Sequence, residues 1–153
     1  MNETTAEVRI RTLEDTDLGD IIGIDEKIGG SYRPEVWEHR MAYYSRRDPE
    51  AQVVAESDGR VVGFMFGEIR SGEFGMEEPT GWIEVLGVDP EARGQAVGRQ
   101  LAETMMDYFE RGGATAVRTM VDAEMGGIER FFESLGFEPA TLRPFVKKLG
   151  KGD

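Results

Sequence analysis

The chain has 153 residues, no cysteine and a formal net charge of −12, with 30 acidic residues against 18 lysines and arginines. This length fits a single domain, spanning 1–153, with one well-buried core. The missing cysteine excludes disulfides, a thiol nucleophile and a thiolate metal site, and the acidic balance argues against nucleic acid or an anionic membrane as partner.

Alternation through Val8, Ile10 and Thr12, with Arg9 and Arg11 on the other face, predicts a first strand over 7–13. Glu14-Asp15-Thr16-Asp17 supplies helix-start chemistry, Leu18, Ile21, Ile22 and Ile24 follow at helical spacing, and Gly29-Gly30 stops them. Pro34 suits the first turn of a second helix running to about Arg47. Strands are predicted over 52–56 and 61–69, joined by a hairpin turn at Asp58-Gly59, and over 81–88 after a loop at 71–80. Val97, Leu101, Met105, Tyr108 and Phe109 mark the face of a third helix ended by Gly112-Gly113. A strand over 115–121, a short helix through Ile128, Phe131, Phe132 and Leu135, and an extended segment over 137–149 complete the chain. The order β-α-α-β-β-β-α-β-α-β predicts an α/β fold: a mixed, mostly antiparallel sheet of six to seven strands with about four helices on its faces.

The most informative stretch is Val85-Leu86-Gly87-Val88-Asp89-Pro90-Glu91-Ala92-Arg93-Gly94-Gln95-Ala96-Val97-Gly98-Arg99. A strand leads through a Gly/Arg loop into a helix, whose N-terminal amides and partial positive charge favour a phosphate or pyrophosphate. A P-loop would need Lys and Ser or Thr after its last glycine, where Arg99-Gln100 stand. A dinucleotide site would need G-x-G-x-x-G tight against the strand, which this spacing does not supply.

The order strand, V-D-P-E-x-R-G-x-A-x-G, helix resembles the acyl-CoA-binding motif of the GCN5-related N-acetyltransferase (GNAT) superfamily, and the order of elements is similar over nearly the whole chain. The family pattern Q/R-x-x-G-x-G/A reads here Arg93-Gly94-Gln95-Ala96-Val97-Gly98, with Ala96 in a glycine slot. The resemblance implies that main-chain amides of Gly94, Gln95, Ala96, Val97, Gly98 and Arg99 cradle the pyrophosphate of acetyl-CoA. Arg93 and Arg99 are placed to add charge or simply to face solvent. The main chain of Leu86, Gly87 and Val88 would pair with the pantetheine arm like an added strand, with Gly87 permitting a bulge there.

The implied reaction is direct transfer of an acetyl group to a primary amine of a small molecule, a peptide N-terminus or a lysine, with no metal and no acyl-enzyme. Glu84 lies in the apolar strand Trp82-Ile83-Glu84-Val85-Leu86 and is the candidate catalytic base; a salt-bridged strand residue is the alternative. Amides near Leu86–Val88 would support the oxyanion. The last helix departs from the family's N-x-x-A-x-x-x-Y-E-x-x-G-F: Met125 stands for the Asn and Phe132 for the Tyr, and Phe132 has no proton to give a departing thiolate. Tyr32, Tyr43, Tyr44 and Tyr108 are the substitutes to consider. Tyr32 and Arg33, and Phe74, Met76, Glu77 and Glu78, sit in loops where the family selects acceptors. A non-catalytic acyl-CoA-binding regulatory module is the alternative function. The polar, acidic start at Met1–Glu7 and the lack of a long apolar run lead to the expectation of a cytoplasmic protein. A homodimer is left open.

Overall fold

A computed structural model of the protein describes residues 7–93 and 96–150. They pack as two compact units, one up to Met120 and one from Val121 onward.

The first unit is a five-stranded sheet of β1 (Arg9–Thr12), β2 (Val53–Ser57), β3 (Arg60–Arg70), β4 (Thr80–Val88) and β5 (Ala116–Thr119), in sequential order. Neighbours run antiparallel except β4 and β5, which are parallel and joined through α3 (Val97–Arg111). Between β1 and β2 lie α1 (Leu18–Gly29) and α2 (Pro34–Arg47). Asp17, 4% exposed, takes both guanidinium nitrogens of Arg11 at 3.0 and 2.9 Å and the Glu14 amide at 2.8 Å, which sets the turn into α1. Gly30, at φ +84, ends that helix where an L side chain would be strained.

Each face of the sheet has its own helices. Val54, Phe64 and Phe66 share a cluster with Ile21, Ile22 and Ile24 of α1 and Trp37, Met41 and Tyr44 of α2. On the other face Leu101, Met105 and Phe109 of α3 are fully buried. Glycines set how closely α3 approaches: a Cβ at Gly81 would lie 2.3 Å from the Phe109 ring, and one at Gly63 2.8 Å from Val97. Burying each of these large side chains contributes about 1.5–3 kcal/mol.

The second unit contains α4 (Gly126–Ser134), with Phe132 against Phe131 and Phe137 at ring distances of 5.0 and 5.1 Å. The extended segment expected over 137–149 forms no strand, so the described residues carry five strands rather than six to seven. Pro139 and Pro144 lack the N–H that a ladder needs, and Phe145, Val146 and Leu149 are 89%, 91% and 83% exposed.

Candidate functional site

β4 changes character at its middle. Thr80–Ile83 is paired on both sides, with β3 and with Ala116–Thr119 of β5. The parallel ladder ends at Ile83, whose carbonyl accepts the Thr119 hydroxyl at 2.8 Å. Among the described residues, Val85 to Val88 is paired with β3 alone. In an antiparallel pair alternate residues turn their amide and carbonyl outward, so this half presents an open main-chain edge.

The junction is a bulge. Phe66 pairs with Val85 and Gly67 with Ile83, which leaves Glu84 without a partner on β3. The bulge therefore lies at Glu84 and not at Gly87. Gly87 is opposite Phe64, and a Cβ there would sit 2.6 Å from that ring, so its glycine makes room for packing. Buried Gln52 supports the neighbouring backbone: its side chain accepts the Gly67 amide at 2.9 Å and donates to the Gly67 carbonyl at 2.7 Å. The side chain stands in for ladder bonds that β2, beginning at Val53, does not reach.

The bulge turns Glu84 toward α2, where both carboxylate oxygens are engaged. Tyr44 donates its hydroxyl to Oε1 at 2.8 Å, and Arg70 Nη2 donates to Oε2 at 2.5 Å. Arg70 Nη1 also reaches Glu68 Oε2 at 2.7 Å, and Tyr43 donates to the same oxygen at 3.0 Å. Glu68 is only 4% exposed, and Arg47 approaches its other oxygen at 3.5 Å. Burial, then the hydrogen bond to Glu84, pushes the Tyr44 hydroxyl well above its ordinary value, so it is held as a neutral phenol. Neither Glu68, Arg70 nor Tyr44 stood out in sequence as a partner of Glu84. They lie 14 to 40 positions away, and only the pairing of β3 with β4 and the packing of α2 bring them together.

After β4, Asp89 is 2% exposed. Its carboxylate accepts the Glu91 amide at 3.0 Å and Lys27 Nζ at 2.9 Å. Burial pushes this carboxyl up, but those two donors outweigh it and hold it below the usual carboxylate range. Asp89 thereby ties the loop to α1. Arg93 is exposed; Gly94 and Gln95 lie outside the described residues. Ala96 takes φ +59 ahead of α3, a conformation that suits glycine. The alanine in the glycine slot thus carries a backbone cost of about 1 kcal/mol. Among the described residues no side chain caps α3, and its first turn holds no acidic residue to offset the partial positive charge of that end. Val97 is a core residue, 2% exposed, and the Arg99 guanidinium lies 3.3 Å from Glu103.

The other tyrosines divide by position. Tyr108 donates to Asp48 at 2.6 Å, which together with burial raises its hydroxyl to about 12. Tyr32 is 67% exposed in the α1–α2 connection, which Arg33 braces by pairing with Asp25 at 2.7 and 3.0 Å. Arg33 holds the Asp25 carboxyl below its ordinary range. Phe74 is also exposed, with its ring 6.0 Å from Trp82. No described helix is long and apolar enough to cross a membrane.

The model of the acetyltransferase (GNAT) family matches residues 20–137. Mycothiol acetyltransferase of Acidothermus cellulolyticus is 34% identical over 108 residues, 65% of this chain and 33% of that protein. The corresponding protein of Thermobispora bispora is 36% identical over 95 residues, 62% and 32% of the two chains. The chain spans about a third of the length of these curated relatives. Among solved structures, an aminoglycoside N-acetyltransferase, AAC(6')-Iy, in complex with CoA superposes with a TM-score of 0.81 at 19% identity, over 97% of this chain and 99% of that one. Ard1 from Thermoplasma volcanium superposes at 0.74 with 22% identity, over 88% and 84%. Likeness at these identities establishes a shared fold.

Proposed function

The chain belongs to the acetyltransferase (GNAT) family, and from that premise we propose that it is an acetyl-CoA-dependent N-acetyltransferase acting directly on a primary amine. The observation that carries this reading is β4: one strand offers an open main-chain edge over 85–88 and, at the bulge where that edge begins, a carboxylate.

These residues fit acetyl-CoA. Alternate amides and carbonyls of Leu86, Gly87 and Val88 would hold the pantetheine arm as an added strand. The loop and helix start at Arg93, Gly94, Gln95, Ala96, Val97, Gly98 and Arg99 would hold the pyrophosphate. Bound there, acetyl-CoA supplies a thioester-activated acetyl group. Glu84 binds the acceptor's ammonium and takes its proton, directly or through water. Arg70 and Tyr44 fix the direction of that carboxylate. An outward amide among Leu86–Val88 would stabilise the developing oxyanion. Phe132 offers no proton, so the thiolate leaves unassisted or takes one from water or another group.

The relatives' printed names support acetyl transfer, and the CoA complex of the superposed aminoglycoside enzyme supports the co-substrate. A cytoplasmic setting belongs to the same proposal and rests on the cysteine-free composition. A second reading, a regulatory acyl-CoA-binding module, is favoured by the full engagement of both Glu84 oxygens. Thiol release from acetyl-CoA, measured over a set of amines and peptides, separates the two. Amine-dependent release is expected, and CoA binding without release from any amine would support the module instead.

A further inference from the structure

Among the described residues four buried side-chain nitrogens have no hydrogen-bond acceptor: Trp37 Nε1 within the α2 packing, and, grouped around β4, Arg70 Nε, Trp82 Nε1 and Arg118 Nε. The last three belong to neighbours. Arg118 is the partner of Trp82 in the β4–β5 ladder, so the two side chains share a face. The Arg70 guanidinium lies 5.5 Å from the Trp82 ring. Trp82 is 6% exposed. The half-buried side chain of Arg118 makes no hydrogen bond or ion pair among the described residues, in a chain that carries 30 acidic residues.

Buried donors without acceptors are rare and costly. The carboxylates on this face do not serve them. Glu68 and Glu84 bind the Nη atoms of Arg70 and the two tyrosine hydroxyls, and Glu73 Oε2 is 3.8 Å from Arg70 Nε, too far for a hydrogen bond. Indole and guanidinium can only donate, so whatever completes this site brings an acceptor, and the charge on Arg118 selects an anion.

We propose that Trp82, Arg118 and Arg70 Nε form a subsite for the carboxylate of a short peptide-like acceptor whose amine is held at Glu84. This rests on the transferase reading above and narrows its substrate class. Glu84 lies two residues beyond Trp82, across the bulge, which places the two positions at most about 7 Å apart along the strand. An extended dipeptide spans roughly 7 Å from amine to carboxylate. A polyamine would leave the three donors unmet and set a like charge against Arg118.

The test is calorimetric titration of glycyl-alanine and of glycyl-alaninamide into the protein with CoA present. The free acid is expected to bind about tenfold tighter than the amide, as loss of a charge-assisted pair implies. Arg118→Gln should erase that ratio, Trp82→Phe should narrow it, and Arg118→Lys should keep part of it, with melting temperatures confirming that each variant is folded. Equal binding, tighter binding of the amide, binding of neither, or a ratio unchanged in Arg118→Gln would overturn the subsite. Thiol release reads the transferase claim separately. Turnover of the amide without a preference for the acid overturns the subsite alone. A preference for the acid without thiol release from any amine overturns the transferase reading alone.

Discussion

The two halves of β4 are built from one run of sequence yet live under different rules. Thr80–Ile83 is satisfied on both edges, lies under Phe109 and is wholly buried. Beyond Ile83 the strand loses β5, gains a bulge and turns partly toward solvent. A strand with both edges filled has no main-chain groups left for a ligand, whereas one with a free edge can bind through its backbone. The comparison teaches that the site is made by ending a ladder early, with Thr119 closing the last paired carbonyl.

If that division holds, substitutions in each half should move different observables. The largest effect belongs to the closed half. Phe109→Ala removes a fully buried ring that lies against Gly81 and should lower unfolding stability by about 3–5 kcal/mol in urea denaturation. Its kcat, measured well below the melting temperature, should stay within about threefold of wild type. Glu84→Gln should do the reverse. Amine-dependent thiol release should fall by about 10²-fold or more, with stability changed by less than about 1 kcal/mol. A Glu84→Gln enzyme at full activity would remove this residue from the role of base.

Tyr44→Phe sharpens the same contrast. It deletes one hydrogen bond to Glu84 but keeps the ring that packs on Phe66 at 5.7 Å. A loss of roughly five- to tenfold in kcat is expected, with little change in the KM for acetyl-CoA.

Acid stability tests the Asp89 anchor between loop and α1. Its carboxyl sits below the unfolded value of about 3.9, so its contribution is present above that pH and is lost as pH falls through the folded value. Wild type should therefore lose stability below pH ~4, and Asp89→Asn should show a shallower slope there in pH-dependent urea melts. The smallest effect is a gain. Ala96→Gly relieves the left-handed backbone at the loop and should raise stability by about 0.5–1 kcal/mol, read as a small rise in Tm.

These contrasts also mark what the sequence could tell. The helices and the five strand readings up to residue 121 were legible because apolar spacing and punctuation agree: Pro34 opens α2, Asp58-Gly59 turns β2 into β3, and Gly112-Gly113 ends α3. Glu84 was legible as a carboxylate in an apolar strand. Its surroundings were not, because Tyr44, Glu68 and Arg70 reach it through tertiary packing and strand register, which spacing along the chain does not encode. Gly87 drew the expectation of a bulge, since glycine marks both bulges and close packing, and here the reason is the Phe64 ring. The segment over 137–149 had extended character but, with two prolines, no ladder to join.

Residue-resolved hydrogen exchange tests the central claim most directly, because it reads each half of β4 in one experiment. On addition of acetyl-CoA, outward amides over 85–88 should slow by at least about tenfold, while those of 80–83, already paired on both edges, should not change. Saturating acetyl-CoA that leaves the amides of 85–88 exchanging at their free rate would contradict the account.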